Sequence, residues 1–365
     1  MSMNLSVNVD VGVGVGISVE SRAYYNFIQA LRTPKTKELY HNALMRYIQH
    51  YKMTVDGLLE LPLKATEQHV IDYIINHKSY MGKHMIIHTL KKFYEMNDVV
   101  LNWKKISSYL GEYKKVNKDR AYDHDEIKIL VDRADIRMKS VLLMLASTGI
   151  RIGAIPDLKI KHFESVEQGS KMYKITVYEN TNEEYYTFCT EECGRACEEY
   201  WKYRERSGEK LEKNSPFIRK QFDMNDLEQT RKESQPIKLN TLNKLLDLHL
   251  QRSGLRTVDH LETKRKEVAR AHGFRKFFTT QLVNSKLNPE IREMLLGHKI
   301  GLSSAYYRPT EEEMLSEYSK AIDSLTINPE NRLKRELVHE KEKNTETSKI
   351  LARLVKLEEG LGIKI

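Results

Sequence analysis

The chain has 365 residues, of which 40% are hydrophobic and 30% are charged, a balance typical of a folded protein with a strongly charged surface. No stretch reaches the ~20 apolar residues of a membrane-spanning helix, and the first residues lack the features of a secretory signal, so we expect a cytoplasmic protein. The formal net charge of +9 favours a polyanionic partner such as nucleic acid, although a basic surface without any partner has the same composition.

The length predicts two domains, and the patterns along the chain place them. Residues 1–20 alternate glycine and valine without a strand–loop–helix unit around them, so we expect a disordered leader rather than a nucleotide-binding loop. Residues 21–112 have apolar positions at helical spacing and are predicted to form a helical domain. The signals include a helix start with Thr33 as N-cap before a proline, and further helices from near Thr66 and over about residues 82–96.

Basic residues mark both the last of these helices and the segment after the domain. The helix over residues 82–96 is flanked by lysines and histidines, which suit contact with a phosphate backbone or equally a solvated face. Residues 113–121 are polar and basic, and we interpret them as the linker to a second domain.

The second domain is predicted over residues 122–327 and is again mainly helical. An acidic first turn at Tyr122–Glu126 begins it, and the apolar run Ser140–Ser147 predicts a buried helix. Two β-rich runs at residues 175–178 and 185–188 flank a polar turn and predict a hairpin. The predicted fold class is therefore mainly α with a small β-hairpin or sheet.

Residues 328–365 are predicted to form a highly charged C-terminal helix. Ile350, Leu354, Leu357 and Leu361 follow one another at the spacing of a short coiled coil. The stripe predicts either a contact with a neighbouring protomer or a helix that packs on its own chain.

The three cysteines, Cys189, Cys193 and Cys197, are too few and odd in number for a disulfide framework. Their spacing can place thiols on one helix face, but no histidine lies near them in sequence to complete a metal site. We therefore predict buried thiols, and we expect neither a metal nor an organic cofactor.

The most informative pattern is an ordered set of arginine, histidine and tyrosine residues in the second domain. Arg151 comes first, and His272 and Arg275 follow at a spacing that places both on one helix face. A glycine that ends the next helix places His298 shortly before Tyr307. Arginines neutralise a phosphate through a planar fork, histidines transfer protons and a tyrosine can attack phosphorus. These groups together suit cleavage of a phosphodiester without a metal.

The segments around these residues resemble the conserved boxes of the tyrosine recombinases, the phage-integrase family that cuts and rejoins DNA. Residues 147–158, which begin Ser-Thr-Gly-Ile-Arg, are similar to the first arginine box. The sequence His272-Gly-Phe-Arg275 is similar to the His-x-x-Arg box, and Leu296-Gly-His298 is similar to the Leu-Gly-His box. The motifs span residues 122–325, and their sequences look most similar to those of the integrases of archaea and their viruses.

The resemblance implies a role for each residue of the set. Arg151 and Arg275 would clamp the scissile phosphate, and His272 and His298 would assist by hydrogen bonding and proton transfer. Tyr307 would attack, giving a 3′-phosphotyrosine intermediate that is resolved through a Holliday junction. A helical core-binding domain and the catalytic domain would clamp double-stranded DNA, with four protomers on two sites. Such a protein of a virus or mobile element would act on nucleoid DNA in the cytoplasm.

Two positions depart from the family pattern. The family lysine that reaches the leaving 5′ oxygen falls near Asn180 here, so that Lys174 is the nearest candidate general acid and Lys171 is more remote. The acidic residue that commonly follows the first arginine is replaced by Ala154, with Asp157 close by as a substitute.

Three alternatives stay open. Tyr306 is a rival nucleophile, and only the spacing to His298 favours Tyr307. A type IB topoisomerase-like enzyme would use similar groups, but the separate helical domain and the Leu-Gly-His box favour a recombinase. A catalytically silent DNA-binding integrase remnant is favoured by the missing lysine and opposed by the complete Arg-His-Arg-His-Tyr set.

Overall fold

The protein is described by a computed structural model that covers residues 21–113, 119–167, 169–223, 234–256, 268–300 and 307–335, with positions 226, 228, 337, 340, 341 and 349. The chain divides into two compact units, residues 1–116 and 117–365. Both units are mainly helical, and a three-stranded antiparallel sheet lies in the second, so the predicted fold class is confirmed.

The first unit consists of helices around an apolar core. The helices are α1 Arg22–Gln29, α2 Pro34–Tyr51, α3 Gly57–Glu60, α4 Leu63–Asn76, α5 Tyr80–Glu95 and α6 Trp103–Ser107. Phe27, Leu44, Ile74 and Phe93 are fully buried in this core. Burial of such a side chain contributes about 1.5–3 kcal/mol, so the apolar face of each helix fixes its packing.

Local chemistry sets where these helices begin. Thr33 accepts a hydrogen bond from the first turn of α2 and precedes a proline, as predicted. Ser79 caps α5 in the same way, so this helix begins at Tyr80, slightly earlier than predicted. The prediction that α4 begins near Thr66 was wrong; it begins at Leu63, because the proline before it already has the extended backbone of a helix start.

The helices of the second unit pack around one buried helix. They are α7 His124–Asp132, α8 Ile136–Thr148, α9 Glu191–Arg206, α10 Leu239–Arg252, α11 Arg270–Asn284, α12 Pro289–Leu295, α13 Glu311–Ser319 and α14 Ile322–Leu325. The predicted buried run lies in α8, and both α9 and α11 pack against it. Asp123 and Glu126 form a capping box on α7, which confirms the predicted acidic start.

The sheet consists of β1 Phe163–Ser165, β2 Tyr173–Val177 and β3 Tyr185–Cys189, hydrogen-bonded in the order β1-β2-β3. The hairpin of β2 and β3 was predicted, whereas β1 was not, because three residues are too few to show an alternating pattern. Tyr178 and Asn180 have φ values of 57° and 62° in the hairpin turn.

The three cysteines are buried and carry free thiols, which confirms the predicted burial. Burial raises the pKa of each thiol, so all three stay protonated at neutral pH. Across the described ranges, no group of three or more His, Cys, Asp or Glu side chains is arranged to hold a metal ion.

A buried ion network fixes the segment after α9. Arg204 donates to Glu209 from Nε at 2.9 Å, and Arg219 donates to the same carboxylate at 2.6 Å. Burial raises the pKa of Glu209, but the two arginines outweigh this effect and lower it overall. The paired charges allow this segment to pack beside α9.

Parts of the sequence predictions lie outside the described residues. These parts are the leader at 1–20, positions 114–118 of the linker and the apolar stripe Ile350, Leu354, Leu357 and Leu361. Residues 329–335 are helical, and the C-terminal helix over 328–365 stays a prediction. In the portions of the chain that the structure describes, no helix combines the length and apolar character needed to cross a bilayer.

Candidate active site

Arg151 lies just beyond the end of α8, at a turn that requires glycine. Gly149 ends the helix with a φ of 60°, in the left-handed region. A Cβ atom at Gly149 would lie 2.3 Å from Cδ1 of Phe278, so α11 leaves no room for a side chain. The turn leads into a 3-10 helix at Ile152–Asp157, and Arg151 at its start is exposed to solvent.

We expect Gly149→Ala to lower the free energy of unfolding by about 2–4 kcal/mol, because alanine adds left-handed strain and a clash with Phe278. Gly153→Ala is the matched control, since a Cβ atom there meets nothing within 4 Å. Urea denaturation of both variants and the wild type measures the difference. Equal stability of the two variants would contradict the close approach of α11 to this turn.

Arg275 is the buried member of the predicted set, with 8% of its surface exposed. It lies on α11, one turn after His272, and donates from Nη1 to the Gly149 carbonyl at 2.7 Å. Its Nη2 donates to the Leu296 carbonyl at 2.6 Å and lies 2.8 Å from Nε2 of His298. The side chain therefore joins the end of α8 to the turn after α12.

His298 is held between Arg275 and Glu293. Its Nδ1 lies 2.6 Å from Oε2 of Glu293. A carboxylate only accepts and a guanidinium only donates, so we assign the hydrogen to Nδ1, and Nε2 accepts from Arg275. The hydrogen bond from His298 lowers the pKa of Glu293, which therefore stays ionised near neutral pH.

Arg151, Arg275 and His298 form what we call the arginine cluster. Burial and the nearby charge of Arg151 lower the pKa of Arg275, which shows that the two guanidinium groups repel each other. The acceptors around Arg275 are two carbonyls and a neutral imidazole, so its positive charge is not compensated by them. An anion that enters between the two arginines would relieve this repulsion.

His272 is exposed on the same helix as Arg275, as the three-residue spacing predicts. Lys276, farther along this helix, lies 2.8 Å from the carboxylate of Asp119. The hydrogen bond from Lys276 and, to a smaller extent, His272 lower the pKa of Asp119. His272 thus lies one helical turn from Arg275, and its side chain is exposed to solvent.

Tyr307 packs against the core of the second unit, near carboxylates of α12 and α13. Burial raises the pKa of Tyr307 most, and the negative charges of Glu313, Glu290 and Glu317 raise it further. Negative charge around this phenol opposes its ionisation. Tyr306 falls outside the described residues.

Lys174, the candidate general acid, is held by two carboxylates. It lies on β2, 2.6 Å from Glu164 and 2.8 Å from Glu311. Burial lowers the pKa of Lys174, but the hydrogen bonds to the two carboxylates outweigh this effect and raise it. Asn180 lies in the hairpin turn, and Lys171 is paired with a glutamate of α9.

The phage integrase family model matches residues 120–313, more than half of the chain, and this range contains the arginine cluster and Tyr307. The chain belongs to the phage integrase family. The tyrosine recombinase XerC of Lactobacillus leichmannii is 23% identical over 269 residues, which are 71% of this chain and 80% of XerC. The chain is thus a tyrosine-type DNA strand transferase, as its motifs implied.

Two solved structures share the fold of this phage integrase family member. The Tn1549 transposon integrase, in complex with transposon right end DNA, has a TM-score of 0.52 at 16% identity, over 82% of this chain and 98% of that chain. A lambda integrase dimer bound to a COC′ core site has a TM-score of 0.51 at 15% identity, over 78% of this chain and 75% of that chain. At these identities the likeness establishes the fold.

Sequence reasoning missed three residues around the arginine cluster of this integrase family member, namely Glu293, Tyr178 and Tyr185. Burial raises the pKa of both tyrosines, and Arg151 lowers it in part. The hairpin prediction placed them at strand ends but gave no sign that these ends meet the arginines. Only Glu293 had a local signal, because it lies on the helix that ends just before His298.

Proposed function

We propose that this chain is a site-specific DNA recombinase that cuts and rejoins DNA through a 3′-phosphotyrosine intermediate and a Holliday junction. The observation that carries the proposal is the arginine cluster. Arg275 is fixed there by neutral acceptors, beside an exposed Arg151. Two neighbouring guanidinium groups suit the charge and geometry of a phosphate.

In the proposed reaction, Arg151 and Arg275 hold the non-bridging oxygens of the scissile phosphate. The phenol oxygen of Tyr307 bonds to phosphorus as the bond to the 5′ oxygen breaks, while a base takes the phenol proton and an acid protonates the 5′ oxygen. His298 suits the first transfer, because its Nε2 carries no hydrogen and can take a proton once Arg275 turns from it to the phosphate. His272 adds a hydrogen bond. One phosphodiester replaces another, so rejoining needs no ATP.

The proposal requires two side chains to move when DNA binds. Tyr307 must leave its place near Glu290 and Glu313 to reach the phosphate. Lys174 stays the candidate acid, and its ammonium group must separate from Glu164 and Glu311 before it can reach the 5′ oxygen.

The proposed partner is double-stranded DNA, the partner in the solved Tn1549 integrase complex. We assign residues 21–112 to a core-binding domain, 113–121 to a linker and 122–327 to the catalytic domain. Residues 328–365 would contact the next protomer of a tetramer on two sites. We further propose that the chain is most like the integrases of archaea and their viruses. We also propose that it acts on nucleoid DNA in the cytoplasm.

Strand exchange without a metal or nucleotide tests this function. A plasmid that carries two copies of the DNA flanking the gene is expected to recombine in EDTA without ATP, because the phosphotyrosine conserves the energy of the cut bond. A strict need for a divalent metal would contradict the proposal. DNA binding without cleavage would favour the silent DNA-binding alternative.

We expect Glu293→Gln to lower the rate of DNA cleavage about tenfold and to leave duplex binding unchanged, since a charged hydrogen bond is stronger than a neutral one by about 1–1.5 kcal/mol. Glutamine keeps an oxygen that can accept from Nδ1 of His298 but loses the charge that strengthens this hydrogen bond. Glu312→Gln, on the exposed face of α13, is the control and should cleave normally. Single-turnover cleavage measures both, and a normal rate for Glu293→Gln would remove this residue from the site.

A further inference from the structure

The side chain of Tyr185 is fixed beside the turn that places His298. Tyr185 begins β3, and its ring lies so close to Gly297 that a Cβ atom there would be 2.4 Å from Cε1 and 2.8 Å from Cζ of the ring. The ring of Tyr178, across the hairpin turn, lies 6.4 Å away between centroids. The glycine of the Leu-Gly-His turn therefore leaves room for an aromatic ring that holds its own hydroxyl near the arginine cluster.

The hydroxyl of Tyr185 shares one property with those of Tyr47, Tyr94 and Tyr122, but it is distinguished by its place beside the arginine cluster. Within the part of the chain that the structure describes, its oxygen is buried without a hydrogen-bond partner. Burial raises the pKa of Tyr185, while Arg275 and Arg151 are near enough to lower it in part. Arg275 thus lies beside the phenol oxygen as a donor, and it cannot accept the hydrogen of the phenol.

The chemistry of these neighbours explains why the phenol hydrogen has no acceptor. Guanidinium groups donate hydrogen bonds and cannot accept them, so neither Arg275 nor Arg151 can receive the hydrogen of Tyr185. A buried donor without an acceptor is destabilising, and native proteins rarely keep one without a reason. The missing partner is an acceptor, which an anion bound by the two arginines would supply.

We propose that Tyr185 is a further catalytic residue, whose hydroxyl donates a hydrogen bond to a non-bridging oxygen of the scissile phosphate held by Arg151 and Arg275. This inference rests on the proposed recombinase function. The non-bridging oxygens gain negative charge as Tyr307 attacks, so a donor fixed in advance stabilises the transition state more than the bound substrate. Burial keeps the phenol protonated, and therefore able to donate, at neutral pH.

Tyr185→Phe tests the proposal with a change of one atom. We expect cleavage of a nicked duplex to slow by about 10²-fold, as loss of one preorganised donor typically does. The midpoint of thermal unfolding should not fall, because the hydroxyl has no hydrogen-bond partner in the free protein. A structural tyrosine would show the opposite pattern, with lower stability and an almost normal rate.

Tyr94→Phe is the matched control, because it removes the same atom from a fully buried tyrosine in the core of the first unit. We expect this variant to cleave at nearly the wild-type rate.

Substrates with a methyl group in place of one non-bridging oxygen identify the contact. Each of the two methylphosphonate diastereomers lacks a different oxygen. With the one that lacks the oxygen bound by Tyr185, the wild type and Tyr185→Phe should cleave at similar rates, whereas with the other the defect should persist.

A normal rate for Tyr185→Phe on the natural phosphate would overturn the inference, and so would an equal defect with both diastereomers. The proposed recombinase function would survive either result, since the wild type would still form its adduct. If the wild type forms no adduct at all, the proposed function fails and the inference fails with it.

Discussion

Tyr307→Phe is expected to abolish covalent attachment to DNA and to leave duplex binding nearly unchanged. Phenylalanine keeps the ring that packs against the core of the second unit but lacks the oxygen that would bond to phosphorus. A denaturing gel with labelled duplex shows the adduct, and fluorescence anisotropy with the same duplex measures binding.

Tyr306→Phe is the matched control, because it removes the same atom from the neighbouring residue. We expect it to form the adduct at the wild-type yield. If Tyr307→Phe forms an undiminished adduct, Tyr307 is not the nucleophile. If the adduct disappears only in Tyr306→Phe, the nucleophile is Tyr306.

Arg275→Ala is expected to have the second largest effect, a loss of about 10²–10³-fold in the rate of cleavage, because a fixed donor to the phosphate disappears. The same change should lower the free energy of unfolding by about 2–4 kcal/mol, because carbonyls that Arg275 satisfies lose their donor. Those carbonyls belong to Gly149 and Leu296, at the ends of two separate helices. Single-turnover cleavage and urea denaturation measure the two losses separately.

Two further variants separate catalysis from stability. Arg275→Lys keeps a positive charge but cannot reproduce the planar donors that reach Gly149, Leu296 and His298, so we expect it to stay strongly impaired. Arg195→Ala removes an exposed arginine from α9 and should cleave normally. Rates are compared at a temperature where circular dichroism shows every variant to be folded. Normal cleavage by folded Arg275→Ala would exclude this residue from the site.

The parts of the site that depend on local chemistry could be predicted from the sequence. Gly297 ends α12 with a φ of 67°, as predicted, and Asn288 caps the start of this helix before a proline, which is a common start signal. His272 and Arg275 lie on one helix because their spacing matches a helical turn. Caps, glycine ends and helical spacing involve neighbouring residues, so a single sequence contains the whole signal.

Contacts between distant segments could not be predicted in this way. The ion pair of Lys174 with Glu311 joins residues 137 positions apart. With Glu164 as its other partner, the candidate acid Lys174 is paired with two carboxylates. The approach of Tyr185 to Arg275 likewise depends on how β3 packs beside α12. Neither contact has a periodic or local signature, because both arise from the packing of complete elements.

Covalent capture tests most directly the central claim that Tyr307 attacks a phosphate held by Arg151 and Arg275. The protein is incubated with nicked duplexes drawn from the DNA that flanks its gene, and the DNA-linked peptide is identified by mass spectrometry. We predict an adduct that resists denaturation and is linked through Tyr307. An adduct on another residue would contradict the claim. So would the absence of any adduct even when a 5′-bridging sulfur, which leaves without a proton, replaces the leaving oxygen.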